Sequence, residues 1–285
     1  MILAAFLPLL LAQAGPTVSP GAAPPVRGAP LEIPRKKKAQ TEPAAAAGPS
    51  QAGQCRDMLR SSPAAAETYA EDWLDSVKGS ARAEPAECLG MARAALGQWS
   101  GAEAAFAEAH TMTPANEAAN RSRRGGMAGN ALLAAGKSED ALKRLDVAHG
   151  EALGAGDLRL AGEIAIDRAR ALVLLKRDGD AAAALASARV NAADNGQAWL
   201  LSATLSRRQG KLSEAQDQIL TAATLLPLDP EVGLEAGVIA MLAGNEAAAR
   251  RSWQSVLAAA PGSDPARTAR SYLDQLGPDP APSGR

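Results

Sequence analysis

Small and apolar side chains return in this chain on a 34-residue cycle. Three abutting segments, starting at Gly162, Gly196 and Pro230, carry Ala181, Ala215 and Ala249 in one column. Leu185, Ile219 and Trp253 follow four residues later, and Ala188, Ala222 and Val256 three residues after those. Ala169, Ala203 and Gly237 make a further column in the first half of each segment, and Gly210 pairs with Gly244, and Pro227 with Pro261, at the same 34-residue spacing. Steps of three and four put these positions on one helical face. A fixed period of this length means stacked supersecondary units in place of a single globular core. Composition agrees with an all-α chain: of 285 residues 47% are hydrophobic but only 3% aromatic, so the apolar content is mostly Ala and Leu, strong helix formers. Long β-branched or aromatic runs, which would point to sheet, are missing.

Upstream, Leu89-Gly90 is followed by Leu96-Gly97-Gln98-Trp99, then Ala102, Phe106, Ala109 and Pro114. These residues resemble the tetratricopeptide repeat, a 34-residue helix-turn-helix unit with Leu-Gly, Gly, Ala, aromatic, Ala and Pro at this spacing. The resemblance implies a right-handed α-solenoid of stacked helix-turn-helix repeats. On its frame five units span 83–116, 122–155, 162–195, 196–229 and 230–263, with insertions at 117–121 and 156–161. Lys176 stands where the turn glycine is expected, and Ala193 where proline is. Gly97, Gly136, Gly210 and Gly244 are expected in a left-handed cap conformation between paired helices. Ser100-x-x-Glu103 and Ser213-x-x-Gln216 read as capping boxes. Asp229-Pro230 and Asp264-Pro265 read as helix starts, so residues 264–276 should form a polar capping helix, followed by a loose tail, 277–285. Residues 52–82 are expected to form an N-terminal helical half-repeat.

The first eleven residues, MILAAFLPLLL, are apolar and precede Ala12-Gln13-Ala14, a small-x-small cleavage pattern. The expectation is a signal peptide, 1–14, cleaved after Ala14, and a periplasmic location. The alternative is a membrane-tethered protein facing the periplasm, although such a run falls short of the roughly 20 residues that span a bilayer. Residues 15–50 are rich in Pro and Ala and cannot bury enough apolar surface to offset ordering entropy, so they read as a disordered linker. Within the linker, Arg35, Lys36, Lys37 and Lys38 form either a solubilising run or a weak contact for anionic envelope polymers or lipid. Cys55 and Cys88, the only cysteines, are candidates for a disulfide in an exported protein, or else two buried thiols.

Thirty basic against 31 acidic side chains argue against a nucleic-acid binder. No catalytic constellation emerges. His110 and His149 lack Cys, His or acidic partners at metal-ligand spacing, and no phosphate-cradling glycine motif is present. Neither enzyme activity nor a cofactor or metal is expected. The repeat resemblance places function on the face built from the first helix of each unit. There Met91, Asn130, Arg170, Thr204 and Val238 occupy the family's usual groove position, flanked by Glu87, Arg207, Arg208, Leu234, Met241 and Leu242. The groove then reads as basic in the middle (Arg170, Arg207, Arg208) and apolar at one end (Leu234, Val238, Met241, Leu242). It suits a peptide or helix with an apolar anchor and a nearby carboxylate. Equally, the apolar set could pack under the final helix and the arginines stay solvated. The expected function is a non-catalytic protein-protein interaction scaffold of the bacterial envelope. The alternatives are a cell-wall or outer-membrane assembly accessory factor and a homo-oligomeric structural protein.

Overall fold

The computed structural model describes residues 50–278; the expected signal segment, the linker with Arg35 to Lys38, and residues 279–285 lie outside the described residues. Within them the chain forms α1 (Gln51–Ser61), α2 (Pro63–Ser76), a 3₁₀ turn (Gly79–Arg82), α3 (Ala83–Ala95), α4 (Trp99–Met112), α5 (Ala118–Ala134) and α6 (Ser138–Gly154). It continues through α7 (Leu158–Leu174), α8 (Asp178–Asn191), α9 (Gly196–Arg208), α10 (Leu212–Leu225), α11 (Pro230–Leu242), α12 (Glu246–Ala259) and α13 (Asp264–Leu276). The described residues contain no strand. Each helix packs mainly on the one before it and the one after it. The result is an all-α solenoid of helical hairpins whose core is a chain of small apolar clusters.

A size rule holds each hairpin shut. The small residue of the first helix meets a large residue 16 positions later on the second: Gly90 with Phe106, Gly129 with Leu145, Ala169 with Leu185, Ala203 with Ile219, and Gly237 with Trp253. A Cβ on Gly90 would lie 2.5 Å from the Phe106 ring, and one on Gly129 2.5 Å from Leu145. A Cβ on Gly237 would collide with the Trp253 indole. The bulkiest partners therefore face glycine, while the Leu and Ile partners tolerate alanine in two cases.

The turns repeat a single geometry. Gly97, Gly136, Gly210 and Gly244 have φ of 73°, 75°, 76° and 79°. Lys176 takes the same left-handed conformation at φ 59°, so the fold imposes the turn even on a residue with a Cβ. The residue after each turn donates its N–H back across the helix end, as in Gln98 to Arg93 (2.8 Å) and Arg177 to Leu172 (2.8 Å). This is the six-to-one bond of a Schellman motif. The same residue serves as N-cap of the next helix: Gln98, Lys137, Arg177, Lys211 and Asn245.

That double duty corrects the expected capping boxes. Ser100 and Ser213 lie two residues past the N-cap positions of α4 and α10, which are Gln98 and Lys211 and make no side-chain cap bond. Asp229 does cap α11, accepting from the N–H of Glu231 and Val232, but α13 is capped by Ser263, with Asp264 already in its first turn. The insertions are largely helical. Both α5 and α7 run for 17 residues, against 13 for α3, α9 and α11, so most of each insertion is added to a first helix.

At the start of the array Cys55 of α1 and Cys88 of α3 form a disulfide, with Cα atoms 6.2 Å apart. The bridge is buried against Trp73 and Leu89. At the other end α13 lays Tyr272, Leu273 and Leu276 over Trp253 and Val256. Arg250, itself buried, donates to the carbonyls of Leu276 (3.0 Å) and Gly277 (2.8 Å).

Candidate binding groove

The expected groove positions fall on α3, α5, α7, α9 and α11, and the structure divides them into three stretches. Nearest the N-terminus, Glu87 and Met91 border a cleft of about 670 Å³ together with Trp73, Glu84 and Arg123. Its main cation is already committed. Arg124 is buried, donates from Nε to Glu87 (2.7 Å) and from Nη1 to the Thr113 hydroxyl (2.6 Å). This end of the groove is polar and internally neutralised.

In the middle, Asp167 is the shared acceptor. It takes a hydrogen bond from Asn130 (2.8 Å) and another from Arg170 (2.6 Å). Between α7 and α9 an apolar pocket of about 270 Å³ opens beside Arg170, Thr204 and Arg208. Leu185 and Leu205, both buried, form its floor, and Val173, Leu174 and Leu201 its walls. Leu174 remains 60% exposed. Arg208 approaches Asp178 only to 3.8 Å, beyond hydrogen-bonding range. Arg207 differs: it is half-buried and held by Glu235 of α11 at 2.6 Å, so it ties two repeats together.

At the apolar end, part of the set packs under the final helix. Leu234 and Val238 join the cluster beneath α13, and the Leu234 carbonyl accepts from the Trp253 indole at 3.2 Å. These two positions belong to the cap interface. Met241 and Leu242, at the end of α11, stay exposed at 37% and 56%. The structure therefore brings Arg170, Thr204 and Arg208 around one pocket, keeps Asn130 beside them through Asp167, and engages the half-buried Leu234, Val238 and Arg207 in contacts within the fold. Val173, Leu174 and Leu201 lie outside the usual groove column and its flanks, so the repeat pattern does not mark them. The signal for two of them was present: Val173-Leu174 lies one helical turn beyond Arg170.

The histidines also gain surroundings that sequence spacing hid. His110 is buried with Nε2 3.0 Å from Glu151 Oε2, and Arg121 donates to the same carboxylate at 2.8 Å. Glu151 lies 41 residues away from His110, so no local spacing reveals the pair. His149 Nε2 is buried with no hydrogen-bond partner. Burial first, then the Arg168 guanidinium, hold its imidazole below the ordinary histidine range, with Asp146 opposing. Among the described residues no group of three or more His, Cys, Asp or Glu side chains is placed to hold a metal ion, and no helix is long and apolar enough to cross a membrane.

No family model and no curated protein matches the chain. Solved structures do. PilF of Pseudomonas aeruginosa superposes with a TM-score of 0.63 at 14% identity, over 78% of this chain and 96% of that one. PilW, a widely conserved type IV pilus biogenesis factor, gives 0.63 at 17% identity, over 77% and 96%. The apo form of RapI gives 0.61 at 13% identity, over 79% and 82%. At such identities the likeness establishes architecture, and with the repeat columns and turn geometry above it shows a tetratricopeptide-type helical solenoid.

Proposed function

We propose that this protein is a non-catalytic adaptor, exported to the periplasm, that holds a segment of a protein partner along the face formed by its first helices. The carrying observation is that an apolar pocket opens between α7 and α9 beside Arg170 and Arg208, with its wall residue Leu174 left 60% exposed. An apolar pocket with basic groups at its rim, set on a regular scaffold, favours a recognition surface. The closed disulfide suits an oxidising compartment. The likeness to PilW, a pilus biogenesis factor, supports a role in assembling envelope structures.

The test is affinity capture from envelope extract by the full chain and by a Leu174→Asp, Met241→Asp double variant. Both positions are exposed, so the variant should melt within a degree or two of the parent while its specific partner disappears from the captured set. Identical capture by both proteins would refute the groove reading.

A further inference from the structure

We infer that the pocket between α7 and α9 is an anchor site for one bulky apolar side chain that carries a carboxylate close to it in the partner's sequence. The inference deepens the groove reading above and rests on it.

Size decides first. A cavity of about 270 Å³ lies below the roughly 300–1,000 Å³ of sites that enclose a cofactor or drug-sized ligand. It has room for a side chain the size of leucine or phenylalanine. The floor, Leu185 and Leu205, offers no polar group, while the wall residue Leu174 is left largely in water. An apolar anchor would cover it.

Charge decides second. The guanidinium groups at the rim stand forward: the side chains of Arg170 and Arg208 are 44% and 47% exposed, whereas the Asp167 carboxylate is set back at 16%. Arg208 makes no hydrogen bond among the described residues, its nearest acid being Asp178 at 3.8 Å. Its N–H fork is therefore available for two parallel bonds to a carboxylate. Thr204 lines the same pocket as the two arginines and adds a hydroxyl to it. The N-terminal cleft differs in its acids: its buried Arg124 is spent on Glu87 and Thr113, and its exposed Arg56 and Arg123 share the lining with Glu84, Glu87 and Glu117. No carboxylate lines the α7–α9 pocket, so an acidic segment with an apolar anchor meets less opposing charge there than at the N-terminal cleft.

The experiment pans the full-length oxidised chain against a random 12-residue displayed-peptide library and measures the enriched peptides by fluorescence anisotropy. The expected peptides place Asp or Glu within one or two positions of Leu, Ile, Met, Phe or Trp. Leu174→Asp should weaken them at least tenfold, with Leu174→Gln as a milder variant should Asp perturb α7. Arg208→Glu should reverse the preference toward peptides in which Lys replaces the acid, and Arg208→Lys should keep only part of the affinity, retaining charge but losing the planar fork. Enriched peptides without an acid, or affinities unmoved by Leu174→Asp and Arg208→Glu, would overturn the anchor inference. If binding responds instead to Glu84→Lys or Arg123→Glu, the anchor inference falls while an adaptor reading survives. If nothing binds from library or extract, both fall.

Discussion

The two ends of the array face the same difficulty and answer it differently. A terminal repeat has a neighbour on one side only and must cover its other side by some device. At the N-terminal end α1 is tied to α3 through Cys55 and Cys88. At the C-terminal end α13 packs Tyr272 against Trp253, ring centroids 5.1 Å apart, and Arg250 clasps the last helical carbonyls. One end is braced by constraining the unfolded chain, the other by burying surface in the folded one. The difference teaches that the two ends should respond to different agents: the first to reductant, the second to loss of volume.

The largest expected effect is at the C-terminal end. Trp253→Ala should cost about 3–5 kcal/mol by removing the indole and leaving a cavity beside Gly237. In hydrogen exchange, protection should vanish from α12 and α13 and persist in α1 to α3. The converse change is Cys55→Ala with Cys88→Ala, which should cost about 3–4 kcal/mol, following the entropy of a closed loop of this length. Chemical denaturation of the parent with and without reductant should give the same difference, and the cysteine-free variant should ignore reductant. The two sites share no partner, so their effects should add; strong non-additivity would break the picture of independent ends.

Two changes in the middle sharpen the contrast by touching neither end. Lys176→Gly should stabilise the chain by about 1 kcal/mol, because lysine is held at φ 59° where only glycine is free of strain; a lower melting temperature would contradict it. Smallest is a pH effect. His149 binds its proton more weakly in the folded chain than the ordinary 6.5 of the unfolded one, so the unfolded state takes up more protons as pH falls through that value. Its contribution is therefore absent above that pH and becomes destabilising below it. His149→Asn should flatten the stability profile between pH 5 and 7, which thermal melts across that range will read.

Much of the architecture was readable because it is written in repeating columns. The Ala181, Ala215 and Ala249 column and the glycine turns each reflect a local steric demand that recurs at the same spacing. Even Lys176, the departure from the pattern, sits in the conformation the pattern requires. The features that spacing misplaces or leaves open depend on geometry it does not carry. Ser100 and Ser213 looked like N-caps, but the turn gives that position to the residue following its left-handed member. Leu234 and Val238 occupy groove columns and still face inward, because α13 covers them where a sixth repeat would otherwise stand. Arg207 stands at a flanking groove position, and the Glu235 it meets lies 28 residues away. The His110–Glu151 contact spans still more chain.

The bridge between α1 and α3 also determines how this scaffold bears a pull. Tension entering at Ser50 meets Cys55 within five residues and crosses directly to Cys88, so the intervening α2 lies outside the load path. A stretched array would therefore give way first among its uncrosslinked hairpins. The mechanical anchor is the end that carries the covalent link, and the compliant part is the uncrosslinked run beyond α3, in which the α7–α9 pocket lies.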